Sequence, residues 1–407
     1  MFGFKSEKTS SDSEKIEELL TRGVDKVYPS VDELKATLLS GKKLKLYQGF
    51  DPTGDKLHLG HMVGLRNHRQ WQDLGHEVIF LIGDGTGQAG DPSGKKKSRE
   101  KFFTNAELRE NAKNYIEQAS KIVRFDGPNP VKVMYNGDWL NKLTLVDILN
   151  IAQNFSVQQL IERDMFQERL KTGESINMRE FLYPLLQAYD SVAMDVDLEM
   201  GASDQTFNML AGRTLMQAMK GKSKFVMTTP LLTDSNGVKI GKSEGNVIGL
   251  TDSPGDLFGK IMSLPDDLIL PMFTLLTSVA MEEIASFDVS KNPMDLKKQA
   301  AETIVASLHS DDEALKAKEN FENTFQKKEI PVDASETRSP EPKISIVDFI
   351  ILTGLSKSKS DIRRMIEQGG VELDGEKITS NNFELNSETD HAKTLKYGKK
   401  DFRKIVF

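Results

Sequence analysis

Four short apolar runs in this chain end at a glycine turn, and that constrains the fold more than any bulk property. They are KLKLYQGFD (43–51), HEVIFLIGDG (76–85), VKVMYNGDWL (131–140) and VDLEMGASDQ (196–205), and KFVMTTPLL (224–232) reads as the last strand of the same unit. Helical spacing separates them, as in HMVGLRNHRQWQDLG (61–75) and QTFNMLAGRTLMQAM (205–219). Strand, glycine turn, helix and strand in repetition specify a parallel sheet wrapped by helices, a Rossmann-like α/β fold. The ligands of such sheets collect where the strands end.

At 407 residues the chain is too long for one ordinary core, so several domains are expected. Helical segments run from Leu143 to about Asp195 and again from about Pro254 to Thr324. Three prolines in KKEIPVDASETRSPEPK mark a linker. The boundaries read from these shifts are 1–235 for the α/β domain, with a helical insertion at about 140–190. A helical region follows at 236–330, then a linker at 331–342 and a small α+β unit at 343–407. The absence of cysteine excludes a disulfide scaffold, a thiolate nucleophile and a Cys-based zinc site. The first residues suit neither a signal nor a transit peptide. No apolar run approaches the ~20 residues of a membrane span, so no membrane association and a cytoplasmic location are expected. A net charge of −7 argues against a globally basic nucleic-acid coat but leaves room for a local basic patch.

In YQGFDPTGDKLHLGHMVGL (47–65), His58 and His61 stand at i and i+3 around Gly60. They fall at a helix N-terminus, where free N–H groups and the dipole already favour an anion. Gly60 removes a side chain, so a flat group can lie against the helix. A metal site is the rival, but no third ligand of suitable type is at hand and the H-E-x-x-H pattern is missing, which favours phosphate recognition. GTGQAG (85–90) matches a dinucleotide fingerprint literally. It runs on into DPSGKKKSRE (91–100) where that fold needs a helix to open, so the dehydrogenase reading fails. The loop still brings Asp91, Lys95 and Arg99 beside a strand end. GVKIGKSEGN (237–246) places Lys239 and Lys242 in a Gly-rich loop after the last strand, which suits a cation clamp on a polyphosphate.

H-x-G-H followed about 180 residues later by K-x-x-K-S resembles the HIGH and KMSKS signatures of the class I aminoacyl-tRNA synthetases. YQGFDPTGDKLHLGH, GDPSGKKKSR, YPLLQAYD, GASDQTFN and KFVMTTPLL…GVKIGKS, in this order and over roughly residues 30–407, closely resemble the bacterial type of tyrosyl-tRNA synthetases. The resemblance implies a two-step ligase. Tyrosine is activated with ATP to tyrosyl-adenylate and pyrophosphate, and the tyrosyl group then passes to the 3′ end of tRNA(Tyr).

By that resemblance His58 and His61 would donate hydrogen bonds to the triphosphate and ribose, with Thr53 at the γ-phosphate. Lys239 and Lys242, together with Lys95 and Arg99, would neutralise the leaving pyrophosphate. Tyr47 and Asp190 would bind the phenol oxygen; Asp91, Tyr183 and Gln187 would bind the ammonium group; Asn136 and Gln205 would line the pocket. Asp204 would take a ribose hydroxyl, and Gly49, Asp51, Gly60 and Ser243 would belong to the nucleotide site. Mg2+ would accompany ATP, with no dedicated protein ligand for it. The spacing of Tyr183, Gln187 and Asp190 puts all three on one helix face. Two departures stand out. Ile240 and Gly241 replace the usual Met and Ser, implying a looser loop, and Ala202 replaces a glycine, implying slight strain.

SIVDFIILTGLSKSKSDIRRMIEQGGVELDGEKI (345–378) reads as two helices and a strand, with Ser358 or Ser360 as a cap and Gly369-Gly370 as a stop. Lys357, Lys359, Arg363 and Arg364 share an edge, and HAKTLKYGKKDFRKIVF (391–407) adds a basic tail with Tyr397 and Phe402 interleaved. This unit resembles the alpha-L RNA-binding domain and implies contact with the tRNA backbone. The family also implies a homodimer, joined through the insertion. A tryptophanyl-type enzyme and a non-catalytic, synthetase-like RNA-binding factor remain as alternatives.

Overall fold

The computed structural model describes residues 9–93, 95, 102–235, 239–240, 247–323, 335–356, 358–398 and 401–407. They form two compact units, Met1–Ala314 and Leu315–Phe407.

The first unit is built on a six-stranded sheet of β1 (Lys26–Tyr28), β2 (Lys45–Phe50), β3 (Glu77–Ile82), β4 (Lys132–Tyr135), β5 (Leu198–Ala202) and β6 (Phe225–Thr229). The strand order is β1-β6-β5-β2-β3-β4. All pairings are parallel except the edge pair of β1 with β6. The five strands expected from the apolar runs are therefore present, and β1 is an addition at the edge. In β3 every residue after Glu77 is buried, as a central parallel strand covered on both faces requires. The chain runs from β2 outward through β3 and β4, then returns to add β5 and β6 on the other side of β2. Strand order thus reverses around β2, where a crevice opens at the carboxyl ends of an open parallel sheet.

Helix Leu59–Asp73 connects β2 to β3 and is buried nearly all round, with Leu59, Met62, Val63, Leu65 and Trp71 out of water. Helices Leu145–Ala152, Val157–Ile161, Asp164–Thr172 and Met178–Met194 form the insertion between β4 and β5. After the sheet come helices Pro254–Met262, Ile269–Leu276, Met281–Ala285 and Pro293–Leu308. GTGQAG does contain a helix, Thr86–Ala89, but only one turn that Gly90 ends with φ 86°.

The second unit holds a five-stranded sheet in the order Glu376–Lys377, Val371–Leu373, Thr394–Tyr397, Asp401–Val406, Glu336–Arg338. Glu336–Arg338 falls in the stretch read as linker, yet pairs parallel with Asp401–Val406. Helices Ile346–Leu352 and Lys359–Glu367 share a core with Val371, Leu385, Leu395 and Ile405. Ser358 caps the second helix by accepting from Asp361 N, and Gly369 follows it with φ 68°. The basic tail is the antiparallel strand pair Thr394–Tyr397 and Asp401–Val406. Tyr397 is buried in the core, so it is not an aromatic group offered to RNA bases.

Candidate active site

One cavity of about 350 Å3 opens at the strand ends around β2. It is lined by Tyr47, Gly49, Asp51, Thr53, His58, Gly60, His61, Asp91, Lys95, Asn136, Tyr183, Gln187, Asp190, Asp204, Gln205 and Lys239. Residues nominated from six separate stretches of sequence therefore converge on one space. Arg99, Lys242, Ser243 and Lys357 lie outside the described residues. Lys359, Arg363 and Arg364 lie on the second helix of the C-terminal unit.

His58 is the N-cap of helix Leu59–Asp73, with extended backbone, and His61 is its third residue. The two rings stand 3.9 Å apart, centre to centre. His61 Nδ1 accepts the His58 backbone N–H at 3.1 Å. A neutral imidazole accepting at Nδ1 carries its proton on Nε2, so His61 has a donor for a phosphate or hydroxyl oxygen. At Gly60 an added Cβ would press on the His58 ring at 3.1 Å. The segment beyond the GVKIGKS loop is joined to this turn: Leu59 N donates to Ile248 O, Leu250 N to Leu57 O, and His58 bridges Gly249. Lys239, on the near side of the loop, pairs with Asp204 at 2.7 Å.

The carboxylates are held by a dense set of donors. Asp51 accepts from Thr86 Oγ1 at 2.7 Å and from the Tyr183 hydroxyl at 3.0 Å. The approach depends on Gly83, where a Cβ would fall 1.9 Å from Asp51 Oδ1. Asp91 accepts from Ser93 N and from Gln205 Nε2, each at 2.9 Å. Asp190 is buried and accepts from Asn136 Nδ2 at 3.0 Å and Trp139 Nε1 at 2.8 Å. Burial nevertheless raises the Asp190 carboxyl well above its usual range, with Glu199 and Asp51 adding repulsion against the two hydrogen bonds. Burial also raises the Tyr183 and Tyr47 phenols, aided by Asp51 and Asp91 for Tyr183 and by Glu199 and Asp190 for Tyr47. Both phenols are therefore neutral hydrogen-bonding groups at neutral pH.

Some roles read from the sequence need adjustment. Asn136 lines the cavity, but its amide is spent on Gly85, Thr86 and Asp190, so it organises the wall. Ala202 has φ −69°, ordinary backbone for any residue, and the expected strain is absent. Gln48 lies over Gly64, where a Cβ would stand 2.3 Å from its Oε1. Thr86, Trp139, Ser191, Glu199 and Lys224 escaped sequence reasoning. Of these, only Glu199 carried a signal, as a charged residue at a fully buried strand position.

Among proteins of known kind, the description "tRNA synthetases class I (W and Y)" matches residues 39–326, and "Tyrosine--tRNA ligase SYY-like C-terminal domain" matches residues 320–405. The tyrosine–tRNA ligase of Dehalococcoides mccartyi strain CBDB1 is 42% identical over 398 residues, covering 96% of this chain and 98% of that protein. The chain belongs to the class I tyrosyl-tRNA synthetases. The tyrosine–tRNA ligase of Aquifex aeolicus is likewise 42% identical, over 92% of this chain and 94% of its own. Solved tyrosyl-tRNA synthetases share the fold at greater distance. The C-terminally truncated mitochondrial enzyme of Aspergillus nidulans superposes with TM-score 0.63 at 24% identity, over 76% of this chain and 94% of that one. The enzyme of Archaeoglobus fulgidus does so with TM-score 0.59 at 21% identity, over 75% and 100%.

Proposed function

We propose that the cavity binds L-tyrosine and ATP, forms tyrosyl-adenylate, and passes the tyrosyl group to the 3′ end of tRNA(Tyr). The observation that carries this reading is the wall made by Tyr47 and the twice-bonded Asp190 in the same cavity as Asp91 and the His58–His61 turn. Such a space offers a phenol site, an ammonium site and a phosphate site together.

In the first step a carboxylate oxygen of tyrosine attacks the α-phosphate. The new P–O bond forms as the bond to the β-phosphate bridging oxygen breaks, and pyrophosphate leaves. No side chain need be a nucleophile or base, so the work is positioning and stabilisation of developing phosphate charge. Tyr47 and Asp190 hold the phenol oxygen, and Asp91 and Gln187 hold the ammonium group. Tyr183, which donates to Asp51, orients that carboxylate and lends its ring to the wall. His58, His61 and Thr53 receive the phosphates and ribose. Asp204 takes a ribose hydroxyl, which would release Lys239 toward the pyrophosphate beside Lys95. Among the described residues no cluster of three His, Asp or Glu side chains is spaced to hold a metal. Mg2+ would arrive bound to the phosphates of ATP.

In the second step the terminal ribose hydroxyl of tRNA attacks the tyrosyl carbonyl and AMP leaves. Lys359, Arg363 and Arg364 supply backbone-directed charge for the tRNA. A homodimer through the insertion is supported by exposed Leu145, Val146, Leu149 and Val157, large apolar side chains in contact with water in a single chain. No described helix is long and apolar enough to cross a membrane. The reading is tested by charging tRNA(Tyr) with labelled tyrosine and, separately, labelled tryptophan. Charging with tyrosine alone is expected; charging with tryptophan would contradict it.

A further inference from the structure

Behind the cavity wall lies a buried set of charges that the reaction, as proposed, does not touch. Lys224, just before β6, and Glu199, in β5, form an ion pair with both side chains shielded from solvent. Lys224 also donates to Ser191 Oγ at 2.6 Å, and that oxygen lies 3.0 Å from the Tyr47 hydroxyl and 3.3 Å from Glu199 Oε2. The other carboxylate oxygen, Oε1, accepts from Gln187 Nε2 at 3.0 Å. Helix Thr206–Lys220 makes room for this set at Gly212. A Cβ there would stand 2.5 Å from Lys224 Nζ and 2.9 Å from Ser191 Oγ.

An apolar pair of similar volume often stabilises a core as well as a buried ion pair does. The significance of this one lies in what it orients. A primary amide has a donor end and an acceptor end, and a carboxylate facing an ammonium can only accept. Gln187 must therefore turn its nitrogen to Glu199, which leaves Oε1 as the free acceptor. That oxygen is buried and has no hydrogen-bond partner among the described residues, although Gln187 lines the cavity. We propose that Glu199, paired with Lys224, is a positioning residue that locks the Gln187 amide with its oxygen ready for the ammonium group of the amino-acid substrate. The two charges thus raise affinity for an α-amino acid over the same molecule without its amino group. This rests on the reading of the cavity as the tyrosine site.

The test pairs Glu199→Gln with Lys224→Met, so that no charge is left alone in the core, and compares tyrosine with 3-(4-hydroxyphenyl)propionate by calorimetric titration. A neutral glutamine at 199 accepts Gln187 in either orientation. Any loosening of Tyr47 through Ser191 affects both ligands alike, so their difference reads the ammonium contact. Tyrosine is expected to lose about tenfold more affinity than the deamino analogue, the size of one hydrogen bond to a charged group. Equal losses, or none, would overturn the proposal. A native chain that binds neither ligand would instead overturn the reading of the cavity. Should the double variant fail to fold, the Gln187 amide protons of the native chain decide the matter by NMR. Protection from exchange that persists when tyrosine is added supports the lock, and free exchange contradicts it.

Discussion

At the scale of single residues, the account turns on polar groups that are fully bonded except toward the cavity. Asp190 takes hydrogen bonds from Asn136 and Trp139 and sits out of water. A site built around such a group rejects a substrate lacking the matching hydroxyl, because its buried polar atoms would then go unpaired. Tyrosyl-tRNA synthetases are themselves the usual illustration, at ~10⁵-fold against phenylalanine. Asp190→Asn is accordingly expected to lower kcat/KM for tyrosine by about 10²-fold or more while changing phenylalanine little, so the ratio of the two in pyrophosphate exchange collapses.

Histidines outside the cavity make a different prediction. Burial lowers the His68 imidazole to about 3 and that of His76 to about 4. Each stays neutral in the folded chain while the unfolded chain takes up a proton below its ordinary pKa of ~6.5. Their contribution is therefore complete above that value and is lost as pH falls. For His68 the loss between pH 7 and pH 5 is about 2 kcal/mol. Denaturant titrations of His68→Leu at the two pH values should show a smaller drop than the native chain by that amount.

At the scale of elements, the His58–His61 turn and the segment after the GVKIGKS loop are one device. Asp252, nearly buried, accepts from Gly249 N at 2.8 Å and pairs with Lys260 at 2.6 Å and Lys56 at 3.4 Å. It thus fixes the segment that bridges His58. Asp252→Ala is expected to reduce kcat for adenylate formation about tenfold with KM for tyrosine within about twofold, since positioning of the phosphate groups is spent in the transition state. Steady-state exchange kinetics check this; a rise in KM with kcat unchanged would contradict it.

The elements were also the level at which the sequence was most legible. Strands β2 to β5 announce themselves as apolar runs halted by glycine, because a parallel strand is buried on both faces and must turn sharply into its helix. The edge strand Lys26–Tyr28 has three residues and one buried side chain, too little pattern to read. The lining residues were legible through a family resemblance and through the i, i+4, i+7 spacing of Tyr183, Gln187 and Asp190. Trp139 and Lys224 were not, since their partners Asp190 and Glu199 lie 51 and 25 positions away along the chain, and Ser191 meets Tyr47 across 144. Nothing local marks a tryptophan as a donor to Asp190. The C-terminal tail misled for a related reason. Its basic residues alternate with Tyr397 and Ile405, and that alternation belongs to strands with one face in a core.

At the scale of the whole molecule, the proposed chemistry and the proposed RNA contacts fall in different compact units, so they should separate experimentally. Arg363 and Arg364 lie on helix Lys359–Glu367, and Arg364 pairs with Asp361 at 2.9 Å on the exposed surface of that helix. Converting both arginines to alanine is expected to weaken tRNA binding and to flatten its salt dependence by about one unit of slope per lost phosphate contact. Pyrophosphate exchange should be unaffected. Filter binding across a salt series, run beside exchange assays, measures both.

The central claim is that this cavity couples tyrosine, and not a related amino acid, to ATP. The most direct measurement is amino-acid-dependent exchange of labelled pyrophosphate into ATP, with tyrosine, tryptophan and phenylalanine run in parallel. Exchange that depends on tyrosine and is negligible with the other two is the result this account predicts. Exchange driven by tryptophan, or none with any of the three, would contradict it.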